Sequence, residues 1–175
     1  LLTLSKVETD EHISPEDNVD ISKLLVRVSD ILSVRAKDRN VEIVITNDVK
    51  FPLVLGDDDE LTQVFQNLIN NAVSYGNEGA PVVILIADVE AIPETNSPGV
   101  SVAVTNIGEG IPADSISRLT ERFYRVDQGR SRSIGGTGLG LAIVKHIIVR
   151  HRGHLEIKSI PGAQTTFTVY IPKAL

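Results

Sequence analysis

Two asparagines, Asn67 and Asn71, are the first residues whose types and spacing could do chemistry. Being four residues apart, they fall on one flank of a predicted helix, beside its apolar stripe rather than opposite it. An amide at such an edge offers a neutral carbonyl oxygen to a hard cation such as Mg²⁺, and its NH₂ group can donate to phosphate oxygens. Taken alone, the pair is weak evidence, and a capping or core-edge hydrogen-bond role is favoured.

A second segment, residues 106–112 (NIGEGIP), directly follows a predicted strand and contains two glycines. Glycines at a strand end let a backbone approach a planar ligand closely, and the side chain of Asn106 could hydrogen-bond the edge of that ligand. A plain glycine-rich turn is an equally good interpretation of this segment.

A third segment, residues 135–141 (GGTGLGL), immediately precedes a predicted helix. The N–H groups at a helix start form an anion site, and glycines remove the Cβ atoms that would hold phosphates away. The segment is not a Walker A loop, because no Lys-Ser/Thr follows its last glycine, and no parallel β-α-β unit surrounds it as a dinucleotide fingerprint requires. Three individually weak segments in this order are together much stronger evidence than any one.

The elements that must position these segments are predicted from apolar periodicity. Helical spacing predicts helices from Asp20 to about Asn40, from residue 61 to about 75 and over about 139–151. Strands are predicted at 41–46, 53–56, 81–88, 99–105, 154–159 and 165–171. The long stretch 107–137 has little periodicity, as expected of a lid or binding loop. This order predicts an α+β sandwich, a mixed sheet covered by helices on one face.

Four consecutive acids at residues 57–60 precede the helix that carries the asparagines. Unpaired N–H groups and the helix macrodipole favour negative charge at a helix start, so we expect the helix to begin there. A calcium loop is a poor alternative, because the ligand spacing is wrong and the required glycine is missing.

The composition excludes several other functions. The chain has 175 residues with 17 Lys+Arg against 23 Asp+Glu, and its net charge of −6 argues against a nucleic-acid partner. The absence of cysteine excludes disulfides, a thiolate zinc site and a Cys nucleophile. Residues 118–152 nevertheless contain eight Lys or Arg and two acids, a local charge of 8 − 2 = +6 that suits a triphosphate.

Taken together, the segments resemble the N, G1, F, G2 and G3 boxes of the ATP-binding catalytic domain of bacterial sensor histidine kinases, within the wider group that includes gyrase, Hsp90 and MutL. The matching segments are ELTQVFQNLINNAVSYG (60–76), NIGEGIP (106–112), LTERFYRVD (119–127), GGTGLGLAIVKHI (135–147) and GAQTTF (162–167). The third and fourth are specific to histidine kinases and look most like the phosphate-sensing subgroup. The resemblance implies a two-layer α/β sandwich of the Bergerat type, with three helices on one face of the sheet and an ATP lid.

The resemblance also implies roles for individual residues, with ATP and Mg²⁺ as the bound groups. It implies that Asn71 is the Mg²⁺ ligand and that Asn67 and Arg125 support catalysis. Asn106 takes the place of the aspartate that accepts a hydrogen bond from the adenine amino group, and Thr166 is assigned to the pocket floor. The full set of implied ATP-site residues is Asn67, Asn71, Tyr75, Asn106, Gly108, Gly110, Ile111, Arg122, Phe123, Thr137, Gly138, Leu139, Gly140 and Thr166.

Three departures from the family pattern qualify these roles. Asn106 replaces the usual aspartate and loses its charge-assisted bond, so weaker adenine binding is expected. Ser74 stands where the family commonly has a lysine, and Gln164 replaces a glycine in a turn. Asn106 and Ser74 motivate an alternative: a degenerate pseudokinase module for nucleotide sensing or partner docking. An ATP-dependent conformational machine lacks support, because Asn67 stands where those proteins have a catalytic glutamate.

The family reaction moves the γ-phosphoryl group of ATP to a histidine. None of the four histidines (His12, His146, His151 and His154) lies in the family's acceptor motif, and those near the end of the third helix are expected to act as helix C-terminal cations. The resemblance therefore implies two partners, a phosphoacceptor domain of the same kinase and a response regulator. Residues 1–19 are interpreted as the end of a dimerisation helix and a linker, and residues 20–175 as the catalytic domain. We expect a monomeric fragment without direct membrane contact, the cytoplasmic part of a kinase anchored in the inner membrane.

Overall fold

The described elements, taken from a computed structural model that covers residues 13–126 and 138–175, alternate between strands and helices. In chain order they are β1 (Asp17–Asp20), α1 (Ile21–Ile31), α2 (Ser33–Asp38), β2 (Ile43–Asn47), β3 (Leu53–Gly56), α3 (Asp58–Tyr75), β4 (Val82–Val89), β5 (Gly99–Ile107), α4 (Ala113–Ile116), α5 (Gly140–Arg150), β6 (His154–Ile160) and β7 (Gln164–Pro172).

Five of the strands form one sheet in the order β2-β4-β5-β7-β6. The β2–β4 pair is parallel and the other three pairs are antiparallel, so the sheet is mixed, as predicted. The alternation along β4 shows which face is covered, because Val82 and Ile84 are buried whereas Val83 and Leu85 are exposed. Helices α1, α3 and α5 supply the other side of the core through Leu24, Phe65, Ile147 and further apolar residues. The predicted sandwich with three helices on one face is therefore confirmed.

The helix predicted from Asp20 to Asn40 is divided in two. Asp20 caps α1 by accepting a hydrogen bond from the N–H of Lys23 at 3.1 Å. Leu32 (φ −89°, ψ 1°) separates α1 from α2, and the hydroxyl of Ser33 donates to the carbonyl of Asp30 at 2.7 Å. A bond from a serine hydroxyl to the preceding turn bends a helix. The apolar spacing continues across the bend, which is why the sequence predicted a single helix.

A small second sheet was not expected from the sequence. Residues 17–20, interpreted as the end of a linker, form β1 and pair antiparallel with β3. Their sequence, DNVD, has no strand pattern, so their extended conformation depends on the pairing with β3. The chain end joins the same sheet, because the N–H of Ala174 donates to the carbonyl of Leu53 at 2.9 Å.

The acidic run starts α3, as predicted. Asp57 caps the helix by accepting a hydrogen bond from the N–H of Glu60 at 2.9 Å, and the first turn contains Asp58, Asp59 and Glu60. With 18 residues α3 is the longest helix described. None of the helices within residues 13–126 and 138–175 combines the length and the apolar character needed to cross a bilayer.

A buried polar cluster joins the start of α3 to the end of α5. The carboxylate of Glu60 forms an ion pair with Arg150, whose guanidinium also donates to the carbonyl of Ile13 at 2.9 Å. His151 lies beside this pair with 3% exposure. Its Nδ1 is 2.7 Å from the carbonyl oxygen of Ile147 and its Nε2 accepts from the N–H of Asp57 at 3.0 Å.

These partners assign His151 a neutral ring with the proton on Nδ1, since a carbonyl can only accept and an N–H can only donate. Burial lowers the pKa of His151, and it outweighs the opposite effect of the Ile147 carbonyl. The expectation that His151 acts as a helix C-terminal cation is therefore wrong. The residue follows the helix end in sequence, but the contact between α3 and α5 encloses its ring.

Candidate functional site

Helix α3 carries the two asparagines on a flank that is only half-buried, as predicted. The first residue of α5 lies directly beside Asn67: a Cβ added to Gly140 would be 3.3 Å from Asn67 Oδ1. Asn71 follows one helical turn further along. The middle of α3 is thus adjacent to the N-terminus of α5, where free backbone N–H groups attract anions.

The C-terminal end of α3 meets the end of β5. The backbone at Gly108 packs on this helix end so closely that a Cβ there would lie 3.0 Å from the carbonyl oxygen of Tyr75. Gly76 packs equally closely, since its Cβ would be 2.7 Å from the carbonyl oxygen of Ala72 and 3.4 Å from the Cβ of Asn106. Glycine is needed at these positions so that the strand end can lie against the helix end.

Asn106 lies at this junction with an unusual environment. The residue is only 7% exposed, yet no hydrogen bond to its side chain occurs within the described residues. In this part of the chain only Ser29 Oγ is both enclosed and unpaired, so the amide of Asn106 keeps an opening to solvent. Because buried polar groups are nearly always paired, this amide is arranged for a ligand or a water molecule.

The edge of the predicted lid is fastened to the start of α5. The N–H of Phe123 donates to the carbonyl of Gly138 at 2.9 Å. Both residues have positive φ, 63° and 77°. Phe123 itself is 68% exposed. The two predicted arginines lie close to Phe123 in the sequence. Arg122 is exposed and Arg125 is half-buried.

Arg118 stiffens this segment from its N-terminal side. Its guanidinium lies 4.4 Å from the centre of the Tyr124 ring and pairs with Glu121 at 3.3 Å. Cation–π contacts of this kind hold an exposed turn in one arrangement at modest energy.

Gly110 and Ile111 pack against β6. A Cβ on Gly110 would meet the carbonyl oxygen of Ile160 at 2.7 Å, and the N–H of Ile111 donates to Ser159 Oγ at 2.7 Å. The absence of a Cβ on Gly110 lets the backbone of Ile160 approach, and the expected role of Gly110 in admitting a base stays a prediction. These two residues fix the loop after β5 to β6.

The structure separates Thr166 from the other predicted site residues. Thr166 lies on the face of the sheet opposite the helices, with its hydroxyl 2.8 Å from that of Thr105, and lines a groove of about 670 Å³ there. Thr165 is the neighbour of Asn106 across the β5–β7 pair, and it is buried on the helix side. The assignment of Thr166 to the pocket floor is therefore wrong, and the threonine beside Asn106 on the helix side of the sheet is Thr165. The period-2 alternation of a strand starting at Gln164 would have found it.

The remaining predicted residues lie at the start of α5 or outside the described residues. Leu139 is the residue before α5 and Gly138 precedes it. Thr137, predicted for the same phosphate-binding segment, lies outside the described residues.

The side chains present fit a metal brought with a triphosphate better than a metal held by protein alone. Within the described ranges, no group of three or more His, Cys, Asp or Glu residues could hold a metal ion. Asn67 and Asn71 offer neutral amide oxygens on one flank of α3, and Mg²⁺ typically uses one or two protein ligands together with substrate phosphates and waters. The donor set therefore fits Mg²⁺ bound with a nucleotide.

The sequence matches the family described as histidine kinase-, DNA gyrase B-, and HSP90-like ATPase over residues 56–175. The sensor-like histidine kinase SenX3 of Mycolicibacterium smegmatis is 38% identical over 174 residues, which cover 99% of this chain and 43% of that relative. The phosphate regulon sensor protein PhoR of Pseudomonas aeruginosa is 38% identical over 175 residues, which cover 99% of this chain and 38% of PhoR. The chain thus spans less than half the length of these relatives. The name of PhoR agrees with the predicted similarity to the phosphate-sensing subgroup.

Solved structures with a similar fold include full-length ShkA in complex with AMPPNP. It has a TM-score of 0.81 and 26% identity, covering 98% of this chain and 34% of that chain. The nucleotide-free catalytic domain of the histidine kinase ThkA has a TM-score of 0.75 and 24% identity, covering 90% of this chain and 95% of that domain. The fold is therefore that of a histidine kinase catalytic domain.

Proposed function

The chain belongs to the family of histidine kinase-, DNA gyrase B- and HSP90-like ATPases, and from this premise we propose that it is the ATP-binding catalytic domain of a two-component sensor histidine kinase. In the proposed reaction a histidine ring nitrogen of a separate phosphoacceptor domain forms a bond to the γ-phosphorus of ATP. The bond from that phosphorus to the bridging oxygen breaks, and ADP leaves with the electron pair.

The observation that carries this proposal is that two different polar groups lie at two separate points along α3. The buried, open amide of Asn106 lies at the Tyr75 end, and the N-terminus of α5 lies beside Asn67. Tyr75 lies eight positions after Asn67, which corresponds to about 12 Å along the helix at 1.5 Å per residue. A hydrogen-bonding group for a base and an anion site for phosphates are thus spaced along one helix, as an extended nucleoside triphosphate requires.

In the proposed complex each end binds a different part of ATP. Asn106 hydrogen-bonds the adenine edge and the ring of Tyr75 lines the base. The N–H groups from Gly138 to Gly140 hold phosphate oxygens, with the helix dipole of α5 adding favourable charge. Ile111 and Gly110 act indirectly by fixing the loop that follows Asn106.

At the phosphate end we assign Asn71 as the protein ligand of Mg²⁺. That ion neutralises phosphate charge when bound. Asn67 donates to phosphate oxygens, and Arg125 and Arg122 approach the γ-phosphate from the lid edge. Phosphoryl transfer depends on positioning and charge stabilisation, so these neutral and cationic donors suffice without a general base in this chain.

We further propose that residues 20–175 act as the catalytic domain and residues 1–19 as a dimerisation-helix end and linker. The partners are then the phosphoacceptor domain of the same kinase and a downstream response regulator. The location that follows is the cytoplasmic side of a kinase anchored in the inner membrane. His151 is enclosed and His154 packs against Tyr170 with ring centres 5.9 Å apart, which argues against either of these two histidines as the acceptor.

The pseudokinase alternative is favoured by Asn106 but no longer by Ser74. The hydroxyl of Ser74 accepts a hydrogen bond from Arg35 Nη2 at 2.6 Å and the residue is 3% exposed. Its side chain therefore joins α3 to α2 and has its own structural role. A serine at this position is no sign that the nucleotide site has degenerated.

The test combines the chain with a separately produced phosphoacceptor domain and ATP labelled on the γ-phosphate. We expect acid-labile, base-stable label on the acceptor histidine and none on this chain. Binding of ATP and Mg²⁺ by calorimetry without any transfer at high protein concentration would favour the pseudokinase alternative.

A further inference from the structure

We infer that Asn106 lets the base subsite accept a 6-oxopurine nucleotide as well as the 6-aminopurine of ATP. This inference rests on the proposed function, because it concerns the base end of the same site. It makes Asn106 the residue that determines nucleotide specificity.

The first step concerns the freedom of the Asn106 amide. Its side chain is buried, and no described protein group hydrogen-bonds either its oxygen or its nitrogen. Its cross-strand neighbour Thr165 is engaged elsewhere, with its hydroxyl 2.9 Å from Ser159 Oγ. A Cβ on Gly108 would lie 3.4 Å from Asn106 Nδ2, an ordinary contact distance. The protein therefore does not hold the amide in one of its two orientations.

The second step is the chemistry that an unrestrained amide offers. In one orientation the amide oxygen accepts from the 6-amino group of adenine and the NH₂ donates to ring nitrogen N1. After a half-turn about the last side-chain bond, the NH₂ donates to the 6-oxo group of hypoxanthine or guanine and the oxygen accepts from N1–H. Two hydrogen bonds form in each case.

The third step compares this amide with a carboxylate at the same place. A carboxylate only accepts, so with position 6 of the base held opposite one of its oxygens it would pair with the 6-amino group but face the oxygen of a 6-oxopurine as a second acceptor. It could accept from N1–H of the 6-oxopurine only after the base shifts along the strand end. A buried acceptor left unpaired is strongly disfavoured, and sites that require a hydrogen bond reject analogues that cannot form it. Asn106 removes that discrimination.

The experiment measures dissociation constants by calorimetry for ATP and ITP, each with Mg²⁺, on the whole chain and on Asn106→Asp. ITP is the informative probe, because it has the 6-oxo group without the 2-amino group of GTP. We expect the ITP and ATP dissociation constants of the unmodified chain to agree within about tenfold. In Asn106→Asp the ratio of the ITP constant to the ATP constant should rise at least tenfold.

A matched control introduces the same charge nearby. Asn77→Asp changes an exposed residue one position beyond Gly76, and its ratio should remain that of the unmodified chain. An unmodified chain that binds ATP but binds ITP more than a hundredfold more weakly would overturn the inference and leave the proposed function intact. An unchanged ratio in Asn106→Asp would also overturn it. Failure of both nucleotides to bind the unmodified chain would instead contradict the proposed function.

Discussion

The backbone N–H of Phe123 donates a hydrogen bond to the carbonyl oxygen of Gly138 at 2.9 Å, which joins the segment before the lid to the start of α5. Gly138 has φ 77°, and a Cβ there would lie 2.7 Å from Phe123 Cα. Only glycine fits both conditions. The contact therefore ties the segment that contains Arg125 to the start of α5.

Substitution of Gly138 by alanine should therefore weaken nucleotide binding. The added methyl group must push the Phe123 backbone away, so we expect at least a tenfold rise in the ATP dissociation constant. Gly162→Ala is the matched control, because Gly162 has φ 79° but no atoms within 4 Å of its added Cβ. It should lower stability by about 1–2 kcal/mol through the left-handed backbone alone and leave ATP binding unchanged. Equal effects of the two substitutions on binding would contradict the role of the Phe123 contact.

Arg39 should support the base end of the site from outside it. Its guanidinium donates to the carbonyl oxygens of Val73 and Gly76, each at 2.8 Å, and so holds the C-terminus of α3. Arg39→Gln should cost about 1.5–3 kcal/mol of unfolding free energy, the range for hydrogen bonds to charged groups. It should also raise the dissociation constants of ADP and ATP by the same factor, because the base end is common to both. A larger loss for ATP than for ADP would place the effect at the phosphates instead.

Thr165 and Thr166 illustrate which features the sequence could predict and which it could not. Local sequence patterns predicted α3, its acidic start and a polar residue near the end of β5, because these follow from local periodicity and helix-end chemistry. The sequence analysis did not establish which alternate residues of β7 face the helices, and so it assigned Thr166 instead of Thr165 to that face. The neutral state of His151 and the strand at 17–20 depend on contacts with α3 and β3, which are distant in sequence, so no local pattern could indicate them.

The ion pair between Glu60 and Arg150 should contribute far more to stability when broken than the pair between Arg27 and Asp58. Both join the first turn of α3 to another helix, but the side chains of Glu60 and Arg150 are 5% and 15% exposed and those of Arg27 and Asp58 are 50% and 53% exposed. Glu60→Leu leaves a buried guanidinium without its carboxylate and should cost about 3–5 kcal/mol. Asp58→Leu should cost about 1 kcal/mol or less. Urea unfolding of both variants checks this, and equal losses would contradict it.

Acidification should destabilise the protein through His151. The pKa of His151 in the folded state is lowered from 6.5, mainly by burial, so the unfolded state binds a proton first as the pH falls. The stabilising contribution of the neutral ring is therefore complete above pH 6.5 and is lost below it, by at most about 1.4 kcal/mol per pH unit. His151→Gln should flatten the pH dependence of urea unfolding between pH 7.5 and 5.5 relative to that of the unmodified chain. A steeper dependence in His151→Gln would contradict the neutral assignment.

Asn71 should make nucleotide binding depend on Mg²⁺, and the neighbouring asparagine provides a close control. Asn70 and Asn71 are both half-buried on α3, but successive residues on a helix point about 100° apart, so the two amides lie on opposite sides of Asn67, about 60° and about 40° around the helix from it. Asn71→Ala should remove most of the gain in ATP affinity that Mg²⁺ produces, because the amide oxygen is the proposed protein ligand, and should leave metal-free binding within about threefold. Asn70→Ala should retain the full gain. Titration of ATP with and without Mg²⁺ on both variants measures this, and a normal Mg²⁺ gain in Asn71→Ala would show that the phosphates alone hold the ion.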